Sequence, residues 1–209
     1  MQNDNHVPTD NWLEWICSSN SEQELIKRYD LWSSSYDDQV VSDWQGIPIA
    51  GATLLSRHLL DTNAKILDAG AGTGFVGQAL VTLGYSQLTA LDISPGMLEQ
   101  AQAKGVYSTF IHSRMDDPAL IEKYGEFDAV IAIGVFADGH AGPNELNNIV
   151  KLLAPQGYLV ISYRSQYLEV LYEDRKNFPL QSIECISLPI YDDQAIRIEL
   201  FQNKCHTER

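Results

Sequence analysis

Residues 66–77 read Ile-Leu-Asp-Ala-Gly-Ala-Gly-Thr-Gly-Phe-Val-Gly, and this stretch decides how the chain folds. Its apolar start predicts a buried β-strand, its glycines predict a tight turn, and the residues from Gly74 onward predict a helix. Glycine permits positive φ angles and a close approach of the backbone to a ligand, and the first turn of a helix has free N–H groups. The stretch therefore predicts a nucleotide site between a strand and a helix.

Beyond this turn, short apolar runs alternate with amphipathic segments, which is the pattern of a parallel sheet covered by helices on both faces. We predict strands at residues 66–68, 88–92, 106–111, 127–133, 158–163, 182–189 and 195–201. The short Asp192-Asp193 turn joins the last two as antiparallel neighbours, so one of them runs against the other strands. A helix is expected from Arg164 to about Asn177. The predicted fold is α/β, with a doubly wound, mostly parallel sheet.

Residues 1–62 are predicted to form a tail and a helical lid that belong to the same domain as the core, residues 63–209. Ser21 to Glu24 has the form of a capping box and predicts a helix to about Leu31. Apolar residues at helical spacing from Leu54 predict a second helix that ends near Asp61. The aromatic residues of the lid either anchor these helices or line an acceptor pocket; they are Trp12, Trp15, Trp32, Tyr36 and Trp44.

Composition limits the possible functions. The chain has 209 residues, which is enough for one domain. It has 28 Asp and Glu against 14 Lys and Arg, so its formal net charge is −14. Such a surface repels phosphate backbones and anionic lipids, so we expect neither nucleic-acid nor membrane partners. Three scattered cysteines and the lack of a metal-ligand spacing predict neither a disulfide framework nor a metal site. We expect a cytoplasmic protein that is a monomer or a homodimer.

Charge near the glycine turn separates two kinds of nucleotide. Gly72, Gly74 and Gly77 match the dinucleotide pattern, in which the helix N-terminus holds a pyrophosphate. An ionised Asp68 would repel a pyrophosphate, whereas it suits the cationic methionine end of S-adenosylmethionine. Asp68 could instead satisfy N–H groups of the turn. The sequence thus favours S-adenosylmethionine over NAD.

Three further residues fit an adenosine. Asp92 ends the second strand, where its carboxylate can accept both ribose hydroxyls, although it could merely cap the helix at Ser94. Met97 could pack on the adenine ring or simply in the core. Asp116 follows the third strand and could accept a hydrogen bond from the adenine amino group.

The run Asp68-x-Gly70-x-Gly72-x-Gly74, followed by Leu88-Thr-Ala-Leu-Asp92 and Phe127-Asp128-Ala-Val-Ile131, resembles the class I S-adenosylmethionine-dependent methyltransferases over about residues 64–165. Tyr29-Asp-x-Trp32 with Tyr36-Asp37, and Gly134-x-x-x-x-Gly139-His140, resemble more narrowly the Williams-Beuren-region methyltransferase-like group. The resemblance implies strand order 3-2-1-4-5-7-6 with an antiparallel last strand, and S-adenosylmethionine as cofactor. It implies that Tyr36 binds the methionine carboxylate and that the cofactor-binding residues are Tyr29, Tyr36, Asp68, Gly70, Gly72, Thr73, Gly74, Asp92, Ile93, Met97, Met115, Asp116 and Ile133.

Methyl transfer requires a positioned acceptor, and it requires a base where the acceptor loses a proton. In the loop after the fourth strand His140 could take that proton, with Asp138 orienting it; His140 could alternatively cap the next helix or contact the cofactor's carboxylate. Arg164, after the fifth strand, could hold a substrate carboxylate or phosphate, or form a surface ion pair. The predicted catalytic residues are His140 and Asp138, and the predicted substrate-binding residues are Trp32, Trp44, Tyr163 and Arg164.

The sequence therefore predicts a methyltransferase that uses S-adenosylmethionine and moves a methyl group to an oxygen, nitrogen or carbon atom of a small-molecule acceptor. One alternative is an NAD(P)-dependent oxidoreductase, against which Asp68 is the discriminating residue. Another is a non-catalytic module that binds S-adenosylmethionine, because the cofactor motifs are clearer than any catalytic group.

Overall fold

A computed structural model of the chain describes residues 7–8, 12–44, 46–137, 139–164, 178–191 and 194–204. Within these residues seven strands form one sheet: β1 (Ile66–Ala69), β2 (Leu88–Asp92), β3 (Thr109–His112), β4 (Phe127–Phe136), β5 (Leu153–Arg164), β6 (Leu180–Tyr191) and β7 (Gln194–Asn203). Their order is β3-β2-β1-β4-β5-β7-β6. Strands β1 to β5 pair in parallel, and β7 runs antiparallel to β5 and to β6. The predicted α/β fold and strand order are confirmed.

Helices lie on both faces of this sheet. Before β1 come α1 (Trp12–Cys17), α2 (Glu22–Trp44) and α3 (Gly46–Ser56), and between the strands lie α4 (Phe75–Thr82), α5 (Pro95–Ala103), α6 (Ala119–Tyr124) and α7 (Pro143–Lys151). The helix predicted after Arg164 and the Asp192-Asp193 turn fall outside the described residues. No helix in the described part of the chain is long and apolar enough to cross a lipid bilayer.

Two apolar layers hold the helices on the sheet. On one face Ile66, Leu88 and Val160 pack in a cluster with residues of α3, α4 and α5, among them Leu54 and Leu80. The other face packs in a second cluster with residues of α6 and α7. Every residue of β1 and of β2 is buried, as expected of strands covered on both faces.

Both predicted lid helices differ from their predictions in where they end. The first begins as expected, because Ser21 Oγ accepts a hydrogen bond from Glu24 N at 3.2 Å. The predicted end near Leu31 is wrong, since α2 continues to Trp44. Serines 33–35 have only moderate helix propensity, but Trp32 and Val40 are buried on this helix, so packing extends it. The second predicted helix is α3, which ends at Ser56, five residues before Asp61.

Strand β3 begins at Thr109 instead of at the predicted residue 106. Tyr107, two residues before this strand, is buried. Its hydroxyl donates to Asp68 Oδ2 at 2.5 Å and accepts from Gly77 N at 3.1 Å. Tyr107 therefore fixes the end of β1 to the start of α4.

Candidate active site

A cavity of about 440 Å³ lies at the carboxyl ends of the central strands. Its walls come from the glycine turn after β1, from Asp92 at the end of β2, from the loop after β4 and from the end of β5, while α1 and α2 cover it. Open α/β sheets bind ligands at this edge, and the volume is that of a small-molecule site. The fold thus places this cavity beneath the lid.

One glycine of the turn, Gly72, has open space beside its Cα atom. Gly70, Gly72 and Gly74 have φ angles of 78°, 53° and 94°, which side chains rarely adopt. A Cβ at Gly72 would meet nothing within 4 Å, whereas one at Gly70 would come within 2.5 Å of Val135 Cγ2. Gly72 lines the cavity, so a ligand can approach its backbone.

Three successive N–H groups of this turn, those of residues 70–72, are bonded within the protein. Gly70 N and Ala71 N donate to Leu91 O at 2.7 and 3.0 Å. Gly72 N donates to Asp92 Oδ2 at 2.8 Å. A dinucleotide site uses N–H groups of such a turn for a pyrophosphate, and here these three are occupied. Beside Gly72 the turn meets the Asp92 carboxylate, which lines the cavity.

Asp92 is the acidic residue of the cavity wall that bonds the glycine turn. Its carboxylate is 9% exposed and accepts hydrogen bonds from Gly72 N and from Ser94 N, at 2.8 and 2.9 Å. Burial raises its pKa. A carboxylate has about four lone-pair sites, so it can accept further bonds from ligand hydroxyls. These contacts fit the ribose role predicted for it.

Asp68 does not line the cavity. It is 1% exposed, with Oδ2 bonded to Tyr107 and Oδ1 without a hydrogen-bond partner among the described residues. Burial raises its pKa to about 7. Asp68 therefore lies behind the cavity wall, and the acidic group that lines the cavity beside the turn is Asp92.

Asp37 connects helix α2 to the glycine turn through a hydrogen bond. Asp37 Oδ1 accepts from the Thr73 hydroxyl at 2.6 Å, and Oδ2 pairs with Lys104 Nζ at 2.6 Å. Lys104 Nζ also lies 4.3 Å from the centre of the Phe75 ring. Thr73, a predicted cofactor residue, thus has its hydroxyl committed to the lid.

Asp30, about two helical turns earlier on α2, makes a second connection between this helix and the core. Its Oδ1 accepts from Ser94 Oγ at 2.6 Å and from Gly96 N at 2.9 Å. The sequence analysis gave Asp30 and Asp37 no role. The two residues are seven positions apart, which puts both on one helix face. This spacing is the signal that could have indicated their contacts with the core.

The neighbouring face of α2 is aromatic. Tyr29, Trp32 and Tyr36 line the cavity. Trp32 is 1% exposed, its Nε1 donates to Gln39 Oε1 at 2.6 Å, and its ring stacks on Tyr29 with 6.2 Å between centres. Trp12 of α1 lies 4.8 Å from Trp32 between ring centres. The side chain of Trp44 falls outside what the structure describes.

His140 lies against this aromatic face. Its Nε2 is 2.9 Å from the Tyr29 hydroxyl, and the two rings meet edge to face at 74°. His140 N donates to Ala137 O at 3.0 Å, which holds the loop. The structure thus joins a predicted cofactor residue to the predicted base. Asp138 lies outside the described residues.

The end of β5 closes the remaining side. Tyr163 is 3% exposed and donates to Glu199 Oε2 at 2.5 Å. Burial raises the pKa of this phenol. Arg164 lines the cavity and is half-buried, and among the described carboxylates none forms an ion pair with it.

Arg114 is a cavity residue that the sequence analysis missed. It pairs with Glu22 of α2, with Glu145 of α7 at 3.8 Å, and with Asp116 at 2.7 Å. Asp116 therefore bonds to Arg114 and does not line the cavity. No pattern in the sequence marked Arg114, because two of its partners, Glu22 and Glu145, lie on other elements.

Most predicted site residues gather in this one cavity. Those that line it are Tyr29, Trp32, Tyr36, Gly70, Gly72, Thr73, Asp92, Ile93, Met97, Met115, Ile133, His140, Tyr163 and Arg164. Asp68, Gly74 and Asp116 are outside its wall. In the described part of the chain, no three His, Cys, Asp or Glu side chains are grouped as metal ligands would be.

Comparison with known proteins agrees with this arrangement. A family model described as a methyltransferase domain matches residues 66–157. The human protein methyltransferase-like protein 27 is 32% identical over 158 residues, a match that covers 75% of this chain and 64% of that protein, less than two thirds of its length.

Solved structures share the fold at low identity. The cyclase SpnF superposes with a TM-score of 0.72 at 14% identity, covering 90% of this chain and 98% of that one. The 1,6-didemethyltoxoflavin-N1-methyltransferase of Burkholderia thailandensis, solved with S-adenosylhomocysteine, gives 0.62 at 19% identity, covering 90% and 92%. At these identities the likeness concerns the fold, and one fold can host different reactions.

Proposed function

We propose that the chain is a class I S-adenosylmethionine-dependent methyltransferase, as its similarity to a methyltransferase-domain model and to human methyltransferase-like protein 27 supports, and that it moves the methyl group of this cofactor to an oxygen or nitrogen atom of a small-molecule acceptor. The cofactor supplies a methyl group bonded to a positively charged sulfur. The protein has to position the acceptor and exclude water, and it has to take a proton from an O–H or N–H acceptor.

The observation that carries this proposal is the contact between Asp92 and the glycine turn. Gly72 N donates to the Asp92 carboxylate, so an acidic group lines the cavity directly beside the turn. A diphosphate held against this turn would be repelled by the buried carboxylate. An uncharged adenosine with two ribose hydroxyls and a cationic sulfur meets no such repulsion.

Cofactor residues follow from their places on the wall. We infer that Asp92 accepts the ribose hydroxyls and that Ile93 and Met97 pack on the adenine. Gly72 lets the backbone of the turn approach the cofactor. Tyr36 lies on the lid above this turn, where its hydroxyl is available to the methionine carboxylate.

The rest of the cavity is left for the acceptor. Its sides are aromatic at Trp32, and Arg164 brings a positive charge that no described carboxylate neutralises. A half-buried guanidinium is stabilised by an anionic partner. We infer an acceptor with a flat apolar body and a carboxylate or phosphate group, oriented by Arg164 and deprotonated with the help of His140.

Isothermal titration tests the cofactor. S-Adenosylhomocysteine is expected to bind with micromolar affinity, and NAD is expected not to bind. Binding of NAD without S-adenosylhomocysteine would contradict the proposal and favour the oxidoreductase. Labelled cofactor with a panel of aromatic carboxylates and phosphates, phenols and amines then tests transfer. Tight binding without any labelled product would favour a non-catalytic module.

A further inference from the structure

Tyr29 and His140 form a polar pair inside the cavity although they come from different parts of the fold. The Tyr29 hydroxyl, on lid helix α2, is 2.9 Å from Nε2 of His140, in the loop after β4. Both residues line the cavity. We propose that Tyr29 is a proton-relay residue, which takes the acceptor's proton on its hydroxyl oxygen while its own proton passes to His140 Nε2. This inference rests on the proposed methyl transfer.

The ionisation of the two groups sets the direction of the relay. Burial raises the pKa of Tyr29 well above its ordinary value, so the phenol keeps its proton at neutral pH and can donate it. The relay uses the tautomer in which Nε2 accepts from that phenol and the imidazole proton is on Nδ1. The Nε2 lone pair then points at Tyr29 and not at the acceptor. A proton from the acceptor reaches Nε2 through the phenol oxygen.

The step balances without another reactant. The acceptor's O–H or N–H bond breaks and its proton goes to the Tyr29 oxygen, while the Tyr29 proton goes to Nε2 and leaves an imidazolium. The electron pair left on the acceptor atom forms the bond to the methyl carbon, whose bond to sulfur breaks with its pair going to sulfur. His140 later returns its extra proton to water.

Packing holds Tyr29 in place for this task. Its ring stacks on Trp32 with an interplanar angle of 18°. The next residue, Asp30, is bonded to Ser94 and Gly96 at the start of α5. Tyr29 therefore meets His140 only while α2 is docked on the core. The relay is complete when the lid excludes water, which is when proton transfer has to occur within the protein.

A double-mutant cycle tests the relay. Tyr29→Phe and His140→Ala are each expected to lower kcat by about 100-fold, the scale of general acid–base catalysis. Because both act on one proton path, the double variant is expected to fall within about threefold of the slower single variant. Independent effects that multiply to about 10,000-fold would overturn the relay.

Cofactor affinity separates the relay from the cofactor role that the resemblance implies for Tyr29. S-Adenosylhomocysteine is expected to bind Tyr29→Phe within about threefold of wild type. A loss of about tenfold or more with kcat retained would make Tyr29 a cofactor ligand and overturn the relay. Tyr85→Phe is the matched control, because its buried hydroxyl bonds Leu59 O away from the cavity. It is expected to keep wild-type kcat.

Nitrogen-15 NMR gives a readout that needs no acceptor. The protein has five histidines, and the His140 side-chain signals are assigned by their absence in His140→Ala. Wild type is expected to show Nε2 unprotonated and hydrogen-bonded, and Tyr29→Phe to change that signal. An unchanged signal would overturn the relay alone, with the proposed function intact if acceptors are methylated. A changed signal without methylation of any acceptor would overturn the proposed function and the relay with it.

Discussion

Asp92→Asn removes the negative charge from the cavity wall while keeping the size of the side chain. The carboxylate now accepts Gly72 N with one oxygen and Ser94 N with the other, at 2.8 and 2.9 Å. An amide has one oxygen, so its NH₂ group must face one of these two N–H donors. The variant therefore loses one bond of the turn and the charge that assists bonds from ribose hydroxyls.

The size of the effect follows from these contacts. Hydrogen bonds to a charged group are worth about 1.5–3 kcal/mol, and about 1.4 kcal/mol is a tenfold change in affinity. We expect Asp92→Asn to weaken S-adenosylhomocysteine binding by about 10- to 150-fold. A buried N–H left unpaired also costs about 1–3 kcal/mol of folding free energy, so the melting temperature falls as well.

Isothermal titration at a temperature where both proteins are folded measures the affinity, and thermal denaturation measures the stability. Asp128→Asn is the matched control. Its carboxylate accepts Lys65 N at 2.8 Å at the start of β4, at the opposite edge of the sheet from the cavity. We expect the control to leave the affinity unchanged. If Asp92→Asn lost stability but bound S-adenosylhomocysteine within about threefold of wild type, Asp92 would be a structural cap and the ribose role would be refuted.

Three further changes test the lid, the buried acid and the acceptor. Burial raises the pKa of Asp68 from 3.8 to about 7. The protonated carboxyl therefore stabilises the fold fully below pH 3.8, and this stabilisation is lost as the pH rises toward 7. The free energy of unfolding of Asp68→Asn is expected to exceed that of wild type by up to about 4 kcal/mol at neutral pH. Urea unfolding at acidic and neutral pH measures this, and an equal difference at both would refute it. Gly96→Ala places a Cβ 3.1 Å from Asp30 Cα and is expected to cost about 1–3 kcal/mol by displacing the lid, whereas Gly46→Ala, with nothing within 4 Å, is the neutral control in the same thermal melts. Arg164→Gln is expected to raise KM for an anionic acceptor by about tenfold or more with little change in kcat, and an unchanged KM for such an acceptor would assign Arg164 another role.

The local features of the site could be predicted because they depend on residues near in sequence. Gly70, Gly72 and Gly74 are needed for their positive φ angles, and a glycine-dense turn after an apolar run is visible in any window of the chain. Asp92 was found in the same way, as the acid that ends the second strand. Apolar runs that alternate with helical segments were sufficient to predict the parallel sheet.

The outcomes that differed depend on partners far along the chain. Asp68 lies near the end of the first strand as expected, but its carboxylate accepts from Tyr107, 39 residues later, and does not line the cavity. Asp116 is bonded to Arg114, whose other partners, Glu22 and Glu145, are distant in sequence. Helix α2 runs past its serines because Trp32 and Val40 are buried.

The chain's own pattern of apolar, glycine and acidic residues was enough for the sheet, the turn and the kind of ligand that the turn accepts, since these follow from backbone conformation and from charge within a few residues. It did not determine which acid faces the ligand or which group contacts His140. Those depend on where side chains point once distant segments pack, as with Tyr29 and His140, which are 111 residues apart and 2.9 Å from each other. Burial and hydrogen-bond competition assign these partners, and both arise only in the folded core.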